Sequence, residues 1–171
     1  MKLLLENFRK YLNESAGAPV FKGYLGWEIP NELVDVSGVD EHYINNRIRR
    51  DGKDVYHITI ISPPETRQIV QNTRTEMGLS GGKAKKEAKR ALLERAASLA
   101  ASEFNIGVTK SVEGPGDGSV GVLDAPSVAF FKVVDWPEVQ ILRAKYELPP
   151  KDLHITLGIG DNGDVHGVKK R

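Results

Sequence analysis

The chain has 171 residues, of which 40% are apolar and 27% charged, and its formal net charge is +1. This composition excludes collagenous, disordered and strongly basic scaffold proteins, and the longest apolar runs are too short to cross a bilayer. The chain has no cysteine, which excludes disulfides, thiolate nucleophiles and cysteine-ligated zinc. We therefore predict a soluble, cytoplasmic globular protein.

The first predicted element is a short amphipathic leader helix. Charged residues interrupt its apolar positions, so it does not match a secretion signal. We expect residues 1–18 to form this helix and a loop, and residues 19–171 to form a single domain. The apolar positions recur at helical spacing and are Leu4, Leu5, Phe8, Tyr11 and Leu12.

Strands and helices then follow one another without regular βαβ alternation, which favours an α+β fold with a mainly antiparallel sheet. Long helices are predicted over 83–103, rich in Ala, Lys, Glu and Leu, and from Pro137 onward. The segment between residues 62 and 82 is expected to be a basic insert. Strands are predicted at 21–29, 55–61, 104–112, 127–134 and 153–159.

Two strands carry nearly the same tetrapeptide, HITI at 57–60 and HITL at 154–157. Because side chains alternate along a strand, each motif places its His and Thr on one face and its aliphatic residues on the other. Continued alternation would put Gly158 and Gly160 on the face of His154, where the missing side chains leave room for a ligand. A single His-x-Thr is unremarkable, but two copies 97 residues apart, each in the same place on a strand, indicate a function.

The paired motifs suit in-line attack at phosphorus. One imidazole of the pair His57 and His154 takes a proton and the other donates one to the leaving oxygen. The hydroxyls of Thr59 and Thr156 donate hydrogen bonds to the phosphoryl oxygens. No metal or cofactor is predicted, because neither motif has a carboxylate beside it to complete a divalent site.

With its two H-x-T-apolar motifs, the sequence resembles the 2H phosphoesterases. The resemblance runs from Gly23 to about Gly160 and implies a bilobal, pseudo-twofold α+β fold, with a mainly antiparallel concave sheet and helices packed outside. It also implies that His57 and His154 face each other across a cleft, with Thr59 and Thr156 on the phosphate. The chain departs from the family pattern in its extended end, GIGDNGDVHGVKKR, and in the basic insert.

Residues outside the two motifs are further candidates for substrate binding. Lys83 and Lys85 follow two glycines at a predicted helix start, where backbone N–H groups favour an anion, although GLSGGKAKK does not match a phosphate-binding P-loop. Tyr24 is a candidate for stacking on a base, as are Trp27 and Tyr56, which are more typical of a core. His166 lies in the tail beside two lysines and is a candidate to close over the ligand.

The leading hypothesis is a metal-independent phosphodiesterase that hydrolyses 2′,3′-cyclic phosphates or 2′-5′ bonds in RNA or oligonucleotides. A second enzyme hypothesis is degradation of cyclic oligonucleotide second messengers, an anti-defence activity that would fit a leader similar to those of some tailed-phage proteins. A third is a non-catalytic module that binds RNA ends. No membrane partner is expected. The sequence leaves open the oligomeric state, the choice between hydrolysis and ligation, and which histidine is the acid.

Overall fold

A computed structural model of the protein describes residues 17–52, 55–101, 104–114 and 127–164. The predicted leader helix and His166 lie outside these ranges. The chain divides into two compact units. The first comprises Met1–Ile29, Ile58–Glu103 and Trp136–Lys151, and the second comprises Pro30–His57, Phe104–Asp135 and Asp152–Arg171.

Within the described ranges the chain forms six strands and four α-helices, which confirms the predicted α+β class. The strands are β1 (Ala18–Phe21), β2 (Leu25–Pro30), β3 (Val55–Ile61), β4 (Asn105–Gly114), β5 (Ser127–Asp135) and β6 (Leu153–Ile159). The helices are α1 (Glu41–Asp51), α2 (Pro63–Met77), α3 (Gly81–Ala97) and α4 (Pro137–Ala144), with short 3-10 turns at Asn31–Leu33 and Ser98–Ala101.

The six strands form one sheet with the order β1-β2-β3-β6-β5-β4. The pairs β1 with β2, β4 with β5, and β5 with β6 are antiparallel, as the sequence predicted. Strand β3 belongs to both units, because its residues 55–57 lie in the second and residues 58–61 in the first. The strands of the two motifs, β3 and β6, are therefore neighbours in the sheet.

The predicted strand at 21–29 is in fact a hairpin. β1 ends at Phe21 and β2 begins at Leu25, and Gly23 between them has a positive φ of 79° that favours glycine. Along β2, the large apolar residues stand at every second position, and Leu25, Trp27 and Ile29 are at most 1% exposed. This alternation gives the first unit a sheet face covered by core residues.

The predicted basic insert is mostly helix α2, and the two prolines after β3 begin this helix. Ser62 is its N-cap and forms a capping box with Glu65. The Glu65 carboxylate accepts hydrogen bonds from the backbone N–H and the hydroxyl of Ser62. The prolines stand at the first helical positions, where a missing N–H costs nothing. The S-x-x-E pattern was the signal for this helix, and the sequence interpretation missed it.

Helix α3 corresponds to the helix predicted over 83–103, but it begins at Gly81 and ends at Ala97. Its buried residues recur every four positions, while the lysines between them are exposed. An amphipathic helix with one basic face was therefore predicted correctly. The buried residues are Ala84, Ala88, Leu92 and Ala96.

The second unit contains helix α1, which was not predicted. Asp40 caps its N-terminus by accepting a hydrogen bond 2.8 Å long from the backbone N–H of His42. Gly52 ends it with a φ of 89°. The helix packs on β6 and positions the charged residues described below.

Among the residues that the structure describes, no helix is long and apolar enough to cross a membrane.

Candidate active site

Strand β3 shows the predicted alternation. Tyr56, Ile58 and Ile60 are buried, with Ile58 and Ile60 fully so, while His57 and Thr59 between them are half-buried. The aliphatic residues therefore anchor the HITI motif in the core and leave His57 and Thr59 on the opposite face. His57 belongs to the second unit and Thr59 to the first.

Strand β6 presents the second motif in a similar way up to Thr156. Ile155 is fully buried, His154 is half-buried and Thr156 is 8% exposed. His154 and Thr156 pair across the sheet with Val133 and Phe131 of β5, so these four residues share a face. The structure thus brings His57, His154 and Thr156 into one unit, on two neighbouring strands.

A β-bulge in β6 overturns the expectation that Gly158 follows Thr156 on the same face. Phe131 pairs with Thr156 and the adjacent Phe130 pairs with Gly158, so β6 carries one extra residue, Leu157. Such an insertion switches the side of the sheet to which the next residue points. Gly158 therefore shares the face of Phe130, opposite that of Thr156.

The two glycines after the motif make room for packing within the protein, so the prediction that they make room for a ligand was wrong. A Cβ atom on Gly158 would lie 2.8 Å from the Cβ of Tyr43 and 3.0 Å from Cγ1 of Val39. Tyr43 belongs to α1 and its ring packs on Phe130 at 4.9 Å. A Cβ on Gly160 would lie 3.2 Å from the backbone nitrogen of Val128. Gly158 thus lets helix α1 approach the sheet closely.

His154 is oriented by the backbone. Its Nδ1 lies 3.2 Å from the carbonyl oxygen of Asp152, and because a carbonyl only accepts, Nδ1 carries the proton. The Phe131 ring meets the imidazole edge to face, with 6.1 Å between ring centroids. In the neutral ring the lone pair is then on Nε2.

His57 lies in a partly buried environment with charged groups around it. Burial lowers its pKa below the usual 6.5, because the charged imidazolium is poorly solvated there. The carboxylate of Asp51 opposes this effect, the guanidinium groups of Arg50 and Arg47 add to it, and Asp164 opposes it again. The net effect is that the His57 ring loses its proton at a lower pH than an exposed histidine does.

The sequence interpretation missed an ion cluster at the end of α1. Arg50 donates from Nε and Nη2 to the two carboxylate oxygens of Asp51, at 2.7 and 2.6 Å, and its Nη1 lies 2.9 Å from Oδ2 of Asp164. Burial alone would lower the pKa of Arg50, but these carboxylates raise it above the ordinary value. In the sequence, the signal for this cluster was the pair of acidic residues in GDNGD at 160–164, shortly after the second motif.

Two of the three aromatic candidates for base stacking are core residues. Trp27 is 1% exposed and packs edge to face on Trp136 at 5.1 Å. Tyr56 is 4% exposed and lies under the buried Arg47, whose Cζ is 3.9 Å from the ring centroid. Arg47 in turn donates to the carbonyl oxygens of Gly52 and Val55. Trp27 and Tyr56 therefore stabilise the fold and do not bind a base.

Tyr24, the third candidate, remains accessible. It lies in the turn before β2 and is half-buried, and its ring covers Gly26, where a Cβ atom would be 2.7 Å from Cε2 of the ring. Gly26 and Glu28 lie on the face of β2 opposite its large core side chains, and Tyr24 covers the buried Gly26 on that face. This placement is compatible with stacking on a ligand.

Lys83 and Lys85 lie in the first turns of α3 in the first unit, and both are exposed. No Cβ built on Gly81 or Gly82 meets another atom within 4 Å, so the start of the helix is open. Lys83 borders a shallow hollow of about 570 Å³ with an apolar floor and a mostly basic rim. Its lining residues are Met77, Leu79, Lys83, Lys86, Glu87, Lys89, Arg90 and Leu93.

A comparison with known protein families shows to which family the chain belongs. The model of the Swiss Army Knife 2H phosphoesterase domain matches residues 28–166, which include both motifs. The chain belongs to the 2H phosphoesterase family. Neither a curated protein nor a solved structure matches it. Membership gives this 2H phosphoesterase a phosphodiesterase-type function and a nucleotide-type substrate.

Among the described residues, no three histidine, aspartate or glutamate side chains are grouped as they would be to hold a metal ion. In the same part of the chain, Arg50 engages the carboxylates of Asp51 and Asp164.

Proposed function

We propose that this 2H phosphoesterase is a metal-independent phosphodiesterase that hydrolyses 2′,3′-cyclic phosphates or 2′-5′ bonds in RNA or oligonucleotides. The observation that carries the proposal is that the two motif histidines lie on neighbouring strands and in one unit. Their environments differ, since burial lowers the pKa of His57 while His154 is held by a backbone carbonyl. Groups with different environments can serve as base and acid in one reaction.

In the proposed reaction His57 is the general base and His154 the general acid. His57 removes a proton from water, whose oxygen forms a new bond to phosphorus. The bond from phosphorus to the 2′ or 3′ ribose oxygen breaks in line with this attack, and Nε2 of a protonated His154 gives its proton to the leaving oxygen. Positioned proton transfer of this kind contributes roughly 10²- to 10⁴-fold to a rate.

The hydroxyl of Thr156 is proposed to donate a hydrogen bond to a non-bridging phosphoryl oxygen. The negative charge on this oxygen grows in the transition state, where a donor held in place is most effective. Thr59 has the same place in the HITI motif and is proposed to have the same role. Tyr24, Lys83, Lys85 and His166 remain predicted substrate contacts.

The experiment that tests this function measures turnover in EDTA of a 2′,3′-cyclic nucleotide, a 2′-5′ dinucleotide and a cyclic dinucleotide. Wild type is compared with His57→Ala and His154→Ala, and His42→Ala serves as the matched control because His42 lies outside both motifs. We expect hydrolysis of the first or second substrate, loss of at least 10²-fold in both motif variants, and no loss in the control.

Two results would contradict the proposal. Cleavage of the cyclic dinucleotide alone would favour second-messenger degradation. Binding of an RNA 3′ end without turnover of any substrate would favour a non-catalytic binding module, in which the motif variants lose affinity and have no rate to lose.

A further inference from the structure

The segment between helix α4 and strand β6 is held by two side chains of α4. Gln140 and Arg143 are three residues apart and therefore lie on the same side of the helix. Arg143 donates from Nε and from Nη2 to the carbonyl oxygen of Pro149, at 2.9 and 2.7 Å. Gln140 binds the backbone of Lys151, two residues further along the chain. Helix α4 thus fixes the path by which the chain enters the strand of the HITL motif.

Gln140 binds both backbone groups of Lys151. Its Nε2 donates to the carbonyl oxygen of Lys151 at 2.9 Å, and its Oε1 accepts from the backbone N–H of Lys151 at 3.0 Å. Lys151 lies outside any helix or strand, and a side-chain amide has the donor and the acceptor that such a residue requires. Because the Lys151 carbonyl belongs to the peptide group that joins it to Asp152, Gln140 also fixes this peptide group.

Asp152 therefore lies between two fixed positions. Before it stands the peptide group that Gln140 binds, and here the chain passes from the first unit, which ends at Lys151, to the second. After it stands Leu153, which begins β6, pairs with β5 and is 2% exposed. The backbone carbonyl of Asp152 is thus constrained from both sides.

This carbonyl is the partner of the histidine in the HITL motif. Nδ1 of His154 lies 3.2 Å from the carbonyl oxygen of Asp152. Which nitrogen of a neutral imidazole holds the proton is set by the hydrogen bond that the ring makes. A carbonyl fixed beside Nδ1 keeps the proton on that nitrogen, whereas a displaced carbonyl would allow the proton to move to Nε2 and the ring to turn.

We propose that Gln140 is a positioning residue for His154, which fixes the carbonyl of Asp152 and, through it, the tautomer and the orientation of the imidazole. This inference rests on the proposed role of His154 as the general acid. Gln140 acts through the backbone of Lys151 and is not proposed to contact the substrate. A ring held at Nδ1 presents Nε2 in one direction, and a misplacement of about 1 Å can cost on the order of 10²-fold in rate.

Two substitutions of Gln140 should disturb the ring of His154. Gln140→Met has a similar length but makes neither hydrogen bond to Lys151. Gln140→Glu keeps an acceptor for the Lys151 N–H but, when ionised, has no donor for the carbonyl. In both variants we expect the neutral His154 ring to shift from the Nδ1–H toward the Nε2–H tautomer. We also expect kcat to fall roughly 10-fold with little change in KM, because the acid acts in the transition state.

The test is a ¹H–¹⁵N correlation spectrum of the imidazole groups in ¹⁵N-labelled protein, which distinguishes the two tautomers. It is recorded at about pH 8, above the ordinary pKa of histidine, and below the melting midpoint of each variant. The chain has four histidines, and the His154 signals are assigned by their disappearance in His154→Gln. Gln68→Met is the matched control, because Gln68 is exposed on α2 and its side chain donates only to Asn72 among the printed contacts of the described residues.

The tautomer is measured without substrate, so its shift is expected even if the protein hydrolyses none of the phosphodiesters, and failure of the proposed function is distinguished from failure of this inference. A purely structural role of Gln140 would lower the melting midpoint and leave the tautomer and kcat of the folded protein unchanged. If Gln140→Met does not fold, Gln140→Glu decides.

Three results would overturn the inference. The first is a wild-type His154 ring with its proton on Nε2. The second is an unchanged tautomer in the folded Gln140 variants, or an equal shift in Gln68→Met. The third is a wild-type kcat in an active Gln140 variant whose tautomer has shifted.

Discussion

Arg143 donates from Nη2 to Oε1 of Glu65 at 2.7 Å and so joins helix α4 to the first turn of helix α2. Arg143 is 1% exposed. It donates a second hydrogen bond to Glu65, at Oε2, and others to the carbonyl oxygens of Ile60 and Pro149. Ile60 is the last residue of the HITI motif. The ion pair therefore fixes, within the first unit, the end of the strand that carries this motif.

Arg143→Met is expected to destabilise the protein. A methionine of similar length fills much of the space, but Glu65 loses its main partner and the carbonyl oxygens of Ile60 and Pro149 lose their donor. Breaking a buried ion pair on one side typically costs roughly 3 to 5 kcal/mol. Urea denaturation measures the loss, and Arg90→Met is the matched control because Arg90 is an exposed residue in surface ion pairs and should change stability little. Equal effects of the two substitutions would contradict the structural role of Arg143.

The same pair predicts a loss of stability in acid. Burial alone would raise the pKa of Glu65, but hydrogen bonds from Arg143 and Ser62 outweigh it and lower the pKa from 4.5 to about 2. A carboxylate with a depressed pKa stabilises the folded state fully above its unfolded pKa and less as the pH falls toward its folded pKa. We expect a loss on the order of 3 kcal/mol between pH 4.5 and 2. Denaturation at a series of pH values should show a smaller loss in Glu65→Gln than in wild type.

Gly158→Ala is expected to destabilise the second unit, because the added methyl group would lie 2.8 Å from the Cβ of Tyr43. Overpacking of this kind costs roughly 1 to 3 kcal/mol. Gly82→Ala is the control, since a methyl group there meets nothing within 4 Å and alanine favours a helix. A thermal melt should show a lower midpoint for Gly158→Ala and an equal or higher one for Gly82→Ala. A neutral Gly158→Ala would argue against the close approach of α1.

The sequence was sufficient to predict the structure where the pattern is local, as in the two motif strands. Alternation of Ile58 and Ile60 with His57 predicted the buried face of β3 because every second residue of a strand points the same way. The same reasoning failed beyond Thr156, since a β-bulge depends on the pairing with β5 and has no signature in HITLGI itself. The ion cluster of Arg50 and Asp164 was also missed, because it joins residues that are distant in the chain.

Lys83→Ala and Lys85→Ala are expected to raise the KM of an oligonucleotide substrate at low salt, and raising the salt concentration should reduce the difference from wild type. Exposed lysines attract phosphates mainly through screened electrostatics. Lys145→Ala is the matched control because Lys145 is also exposed and also lies in the first unit. Steady-state kinetics at two salt concentrations measures the effect. An unchanged KM in both variants at low salt would remove these lysines from the substrate contacts.

The pH profile of kcat/KM tests the assignment of His57 as the general base. Burial lowers the pKa of His57 below 6.5, so the ring loses its proton at a lower pH than an exposed histidine does. Activity that requires the neutral ring should then rise on the acid side with a midpoint below 6.5, because kcat/KM reports the ionisation of the free enzyme. In His57→Ala this acid limb should disappear from whatever activity remains.

His42→Ala is the control for this profile, because His42 is more than half exposed, pairs with Asp161 and has no proposed contact with the substrate. Its profile should match that of wild type. An acid limb with a midpoint above 6.5 that disappears in His154→Ala and persists in His57→Ala would reverse the assignment, making His154 the base and His57 the acid. The paired-histidine mechanism would stand in that case, whereas a limb that persists in both variants would contradict it.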